Sequence, residues 1–140
     1  MYQSLSSEAE VMFLKVVIPL AVLCLTVEGS RLVGAPMDTT LADQGAQDAL
    51  RFAVAQYNGA SHDMYLSKVS RVISVQKQVV SGMKYIFTVE MARTSCRKDL
   101  PQKNCPVYSN PALARRQICR LAVWSQPWKK TNVMVENTCR

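Results

Sequence analysis

Beyond residue 29 the chain offers few side chains of the kind that catalyse or ligate: four cysteines, one histidine and seven carboxylates. Cys96, Cys105, Cys119 and Cys139 could hold a metal, supply a nucleophile or pair as disulfides. Zinc knuckles need paired C-x-x-C spacing, which these cysteines lack, so no metal is expected. A thiol or hydroxyl nucleophile needs a positioned base, and the sole histidine, His62 in Ser61-His62-Asp63, has no visible nucleophile to serve. The carboxylates form no compelling acid and base pair, and there is neither a Gly-rich phosphate loop nor an H-E-x-x-H motif. The chain therefore reads as a non-enzyme without a cofactor, and His62 as a surface residue. What stands out instead is apolar: Gln78-Val79-Val80-Ser81-Gly82 reads as a turn with two valines at its tip, and Pro127-Trp128 reads as a second tip. Valine and tryptophan on loop tips do not serve stability, so two such tips suggest a surface built to enter a groove.

Disulfides are the reading that suits the four cysteines, and the start of the chain supports it. Residues 1–11 are polar and acidic; Met12-Phe13-Leu14-Lys15 and the apolar run from Val16 to Val27 follow, and then Glu28-Gly29-Ser30. This is the profile of a secretory signal with cleavage near residues 29/30, preceded by a possible upstream extension, and either Met1 or Met12 could initiate. Lys15 and Pro19 interrupt the run, which falls short of the roughly 20 residues of a membrane span. Cys24 falls inside it. Residues 30–140 then make a single domain of 111 residues, secreted and extracellular. Four cysteines in that compartment imply two disulfides, with three connectivities open. If the last two strands turn near Trp128 and Lys129, an antiparallel hairpin places Cys119 opposite Cys139. Cys96 and Cys105 then close the short loop between them, each bridge worth about 2 to 4 kcal/mol.

The elements that must carry the tips are legible from periodicity. From Thr40 to Tyr57, Ala42, Ala46, Ala49, Leu50, Ala53, Val54 and Tyr57 recur at helical spacing. Asp38 and Thr40 are candidate caps, Asp43 is an acid for the first turn, and Asn58-Gly59 is the expected stop. Gln44, Asp48 and Arg51 are left for solvent. The period then changes to two: Tyr65 to Gln78 alternates in part, and Lys84 to Arg93 alternates clearly, with Tyr85, Phe87, Val89 and Met91 on one face. Glycine at the intervening turn suits a positive φ. Gln117 to Ser125 and Thr131 to Cys139 form a second hairpin with Pro127 at its turn. Thr94 to Arg116, with three prolines, is the least regular stretch and is expected away from the working edge. The fold class is α+β, one long helix across a four- to five-stranded antiparallel sheet.

Taken in order, Leu32-Val33-Gly34, Gln78-Val79-Val80-Ser81-Gly82 and Pro127-Trp128 resemble the N-terminal glycine segment, the Q-x-V-x-G loop and the Pro-Trp loop of the type-2, secreted cystatins. The similarity spans the mature chain from Arg31 through Ala53-Val54 and Tyr57-Asn58 to Cys139. It implies reversible, tight, competitive inhibition of papain-like cysteine proteases of the cathepsin B/H/L/S class. Leu32 and Val33 would occupy non-primed subsites, Gly34 would bend the strand away from the catalytic cysteine, Gln78 to Gly82 would sit over the cleft, and Pro127-Trp128 would rest on the primed side.

Two departures qualify the resemblance. Some type-2 cystatins also inhibit legumain through an asparagine in a Ser-Asn-Asp loop after the helix; here that position is His62, so legumain is not expected as a partner. Ala35 beside Gly34 allows less backbone freedom than a second glycine. Removing residues 1–29 takes away one lysine and three glutamates and raises the formal charge from +7 to +9. The alternative reading is thus a cationic secreted defence protein that binds bacterial or anionic surfaces. The basic residues are dispersed rather than in a tract, and no nucleic acid is expected as a partner. No N-glycosylation sequon occurs. A monomer is the default, with a domain-swapped dimer as a family hazard.

Overall fold

A computed structural model describes residues 34–101 and 104–140; the expected signal segment, and Leu32 and Val33, lie outside the described residues. Helix α1 (Gln44–Ala60) begins where Asp43 stops the extended chain. Its Oδ1 accepts from the backbone N–H of Gly45 at 2.9 Å and of Ala46 at 3.4 Å. The cap is thus Asp43 itself rather than Asp38 or Thr40. Asp38 lies in the short strand β1 (Met37–Asp38), and the Thr40 hydroxyl instead accepts from Ala42 N in the turn before the helix. Nor does Asn58-Gly59 stop the helix. Asn58 spends its side chain on Ser67, accepting from its N–H at 2.8 Å and donating to its carbonyl at 2.9 Å. The helix continues to Ala60, and Lys98 Nζ then donates to the Asn58 and Ser61 carbonyls at its end.

Four further strands, β2 (Tyr65–Val80), β3 (Gly82–Arg97), β4 (Gln117–Gln126) and β5 (Thr131–Cys139), complete a five-stranded antiparallel sheet in the order β1-β2-β3-β4-β5. The count is five because Met37 and Asp38 pair with Lys77 and Gln76. At 16 residues each, β2 and β3 make a hairpin about 50 Å long. Register irregularities between Tyr65 and Ser67, Val69 and Arg71, and Val72 and Ser74 break up the alternation of β2. Such bulges add twist, which lets a long hairpin wrap a helix.

The core lies between α1 and the sheet. Ala46, Ala49 and Ala53 present no more than a methyl each, so the sheet comes close. Tyr85, Phe87, Val89 and Met91 of β3 and Leu121 and Val123 of β4 fill the other side. Ile86 and Ala122, opposite each other in register, are buried as well, so the centre of the sheet is covered on both faces.

Both disulfides, Cys96–Cys105 and Cys119–Cys139, are formed, and Cys119 and Cys139 are direct partners across β4 and β5. The segment after β3 is more regular than its prolines suggest. Ser95 N–H donates to the Pro106 carbonyl and Tyr108 N–H to the Arg93 carbonyl, continuing the ladder along β3 beyond the reach of β4. A one-turn helix α2 (Pro111–Ala114), capped by Asn110, follows. All of this lies at the end of the sheet opposite Ser81, which allows both hairpin turns to share the other end.

Asp43 also ties α1 to the sheet through Lys77 Nζ, 3.2 Å from its Oδ2. That hydrogen bond, helped by the N–H groups of Ala46 and Gly45 and opposed by partial desolvation, holds its carboxyl below the usual value of 3.8. A depressed folded pKa contributes stability above the unfolded value that is lost as pH falls through the folded one. Asp43→Asn should therefore lower Tm at neutral pH, and the gap to wild type should close as pH falls below about 4. A gap that persisted unchanged in acid would remove Lys77 as its cause.

Candidate functional site

The first tip is tighter than a loop. Val80 pairs with Gly82 across the single residue Ser81, so Val79 and Val80 are the last residues of β2 rather than the turn itself. Adjacent strand residues face opposite ways. Val79 is 49% exposed, and Val80 is half-buried, as is Gln78. Gly82 has φ +90°, open to glycine and strained for any L side chain.

The second tip, Pro127-Trp128-Lys129-Lys130, is closed by Lys129 N–H to the Gln126 carbonyl and Lys130 N–H to the Pro127 carbonyl. At its base the buried Gln126 accepts from the Thr131 hydroxyl at 3.0 Å. Trp128 stands 57% exposed. Antiparallel order puts both turns at the same end of the sheet, and packing joins them. A β-carbon on Gly82 would lie 2.4 Å from the Ser125 carbonyl oxygen and 3.2 Å from the Trp128 ring.

Trp124 completes the joint and escapes a reading of sequence alone. Its Nε1 donates to the Ser81 carbonyl at 2.6 Å, so one indole links β4 to the apex of the β2–β3 turn. Two tryptophans four residues apart are the signal. Only the pairing of Lys84 with Trp124 reveals that the first of them reaches back to Ser81. Of the residues singled out in sequence, Gln78 to Gly82 and Pro127-Trp128 converge. Gly34 is the first described residue, followed by exposed Ala35 and Pro36.

The His62 loop sits at the opposite end of the sheet, where Tyr65 pairs with Arg97. His62 is exposed, and its neighbours hold it: Asp63 accepts from Arg93 Nε at 2.8 Å and from Tyr65 N–H at 3.1 Å. Desolvation works against the Asp63 charge, yet the Tyr65 N–H and the Arg93 guanidinium outweigh it and keep the carboxyl low. Among the described residues no cluster of His, Cys, Asp and Glu could hold a metal, and no helix is long and apolar enough to cross a membrane.

Two partly exposed apolar tips touch at one end of a disulfide-braced sheet. The model of the cystatin domain covers residues 34–128. The chain belongs to the cystatin family. It is 49% identical to a cystatin of Oncorhynchus keta over 125 residues, 89% of this chain and 96% of that one. It is 41% identical to cystatin-C of Homo sapiens over 111 residues, 79% and 76% of the two chains. Among solved structures, Al-CPI superposes with a TM-score of 0.68 at 30% identity, covering 76% of this chain and 98% of its own. Dimeric human cystatin F gives 0.65 at 32% identity, covering 76% and 86%. As a cystatin, the protein is an inhibitor of papain-like cysteine proteases, not an enzyme, and it is extracellular.

Proposed function

We infer that this cystatin blocks proteases of the cathepsin B/H/L/S class with a three-part wedge: Leu32, Val33 and Gly34; Gln78, Val79, Val80, Ser81 and Gly82; and Pro127 with Trp128. The observation that carries the reading is the contact between the tips, with Trp124 bonded to Ser81 and Gly82 seated against Trp128. A wedge held rigid before binding loses little conformational freedom on entering a cleft. It escapes hydrolysis because no peptide bond need lie in line with the catalytic thiolate, so the cleft is filled without near-attack geometry.

Leu32 and Val33 extend the wedge to the non-primed subsites, with Gly34 as the hinge. The chain is made with a signal over residues 1–29, and residues 30–140 are the mature domain, a monomer able to swap its β2–β3 hairpin. The test is competitive inhibition of cathepsin L by protein beginning at Arg31. Wild type inhibits reversibly, and Gly34→Trp weakens it; equal inhibition by the two would remove the N-terminal segment from the wedge.

Legumain lies outside this activity. A pocket that recognises an asparagine amide finds an imidazole at His62, and such sites reject the wrong partner by factors of about 10⁴. The expected outcome is weak or no inhibition. Nanomolar inhibition of legumain by wild type that disappears on substituting His62 would contradict it.

A further inference from the structure

The tip that carries Trp128 also carries charge that nothing in the fold uses. Lys129 and Lys130 are exposed, and Lys84 stands opposite Trp124 in register. Among the described residues none of these three lysines makes an ion pair. The carboxylates are committed elsewhere: Asp43 to Lys77, Asp48 to Arg51, Asp63 to Arg93, Glu90 to Arg71 and Arg116, Asp99 to Arg97, and Glu136 to Arg120. The seventh, Asp38, lies on β1, at the other edge of the sheet from β5. Neither turn segment, 78–84 or 125–132, contains an acid.

The backbone supplies an independent sign. Lys130 holds φ +52°, a conformation in which glycine or asparagine is normally preferred. A long cationic side chain at a strained turn position serves the fold poorly, and such departures concentrate at functional positions.

We propose that Lys129 and Lys130, with Lys84 on the adjoining strand β3, form a cationic collar around the Trp128 tip. The collar selects cysteine proteases whose cleft rim carries carboxylates on the side where Trp128 lands. This rests on the wedge reading and adds a partner preference to it. Charges at the rim of an interface act mainly on the rate of encounter, whereas the desolvated apolar tip governs release.

The test measures association and dissociation rate constants with two papain-like proteases, one acidic and one basic at the assay pH. At about 10 mM ionic strength the wild type should associate with the acidic enzyme at least about 10-fold faster, and the advantage should shrink towards unity at about 0.5 M. Lys129→Glu/Lys130→Glu should abolish the preference while changing dissociation less than about 2-fold. Lys130→Gly should slow association with the acidic enzyme yet raise Tm, because it relieves the backbone as it removes the charge; that result separates the collar from a turn requirement. Association rates indifferent to salt and to charge reversal, while Trp128→Ala still weakens inhibition, would overturn the collar and leave the wedge standing. Failure of the wild type to inhibit either protease would overturn both.

Discussion

Trp128→Ala is expected to weaken inhibition of a papain-like protease by about 30- to 1,000-fold, equivalent to about 2 to 4 kcal/mol, with almost no change in Tm. The two halves of this result have separate causes. Trp128 is 57% exposed, so its removal opens no cavity in the core and costs the free protein little. In a cleft, the same ring would supply a large apolar area on a side chain with only two rotatable bonds. Faster dissociation should account for most of the loss. Inhibition constants from progress curves, beside thermal melts, check both halves. An unchanged inhibition constant would remove Trp128 from the interface. A large fall in Tm would mean that the ring braces the fold instead.

Gly82→Ala should behave differently and damage both properties. The added carbon would lie 2.4 Å from the Ser125 carbonyl oxygen, a backbone atom that cannot swing aside, at a φ of +90° that alanine tolerates poorly. Relief requires the β2–β3 turn to part from β4, breaking the Trp124 bond to Ser81 and shifting the Trp128 ring. A loss of about 2 to 3 kcal/mol in stability is expected, together with a fall in affinity of at least about 100-fold. Denaturant melts and inhibition assays on the same preparation measure the two. Together the variants separate contact from scaffold: Trp128→Ala removes a contact from an intact tip, and Gly82→Ala displaces both tips at once. Full inhibition by a folded Gly82→Ala protein would show that the tips act independently.

The parts of this architecture that are local in sequence could be read from it. Alanine spacing from Ala46 to Ala53 marks the helix, and the alternating Tyr85, Phe87, Val89 and Met91 mark the central strand, because both sets line the face that packs into the core. The Cys119–Cys139 bridge could be read as well, since a hairpin with a located turn fixes its own register. What could not be read depends on partners distant in sequence. Asp43 wins the cap over Asp38 because Met37 and Asp38 are drawn into pairing with β2. The helix outruns Gly59 because Ser67 engages the Asn58 side chain and Lys98 satisfies carbonyls at the helix end from outside. Thr94 to Arg116 looks irregular because its order comes from β3, not from its own pattern. At the site, the apolar tips were legible as residues out of place on a surface. Trp124 was not, because its role exists only once β4 lies beside β3.

The central claim is that the joined tips fill a protease cleft without being cut. Its most direct test is an active-site titration of papain with the oxidised protein beginning at Arg31, followed by dissociation and mass analysis of the recovered inhibitor. Activity should fall linearly to zero at one equivalent and return on dissociation, with an inhibitor of unchanged mass. Absence of inhibition by a folded monomer, or cleavage within Gln78 to Gly82 or at Pro127-Trp128 on the same timescale, would contradict it.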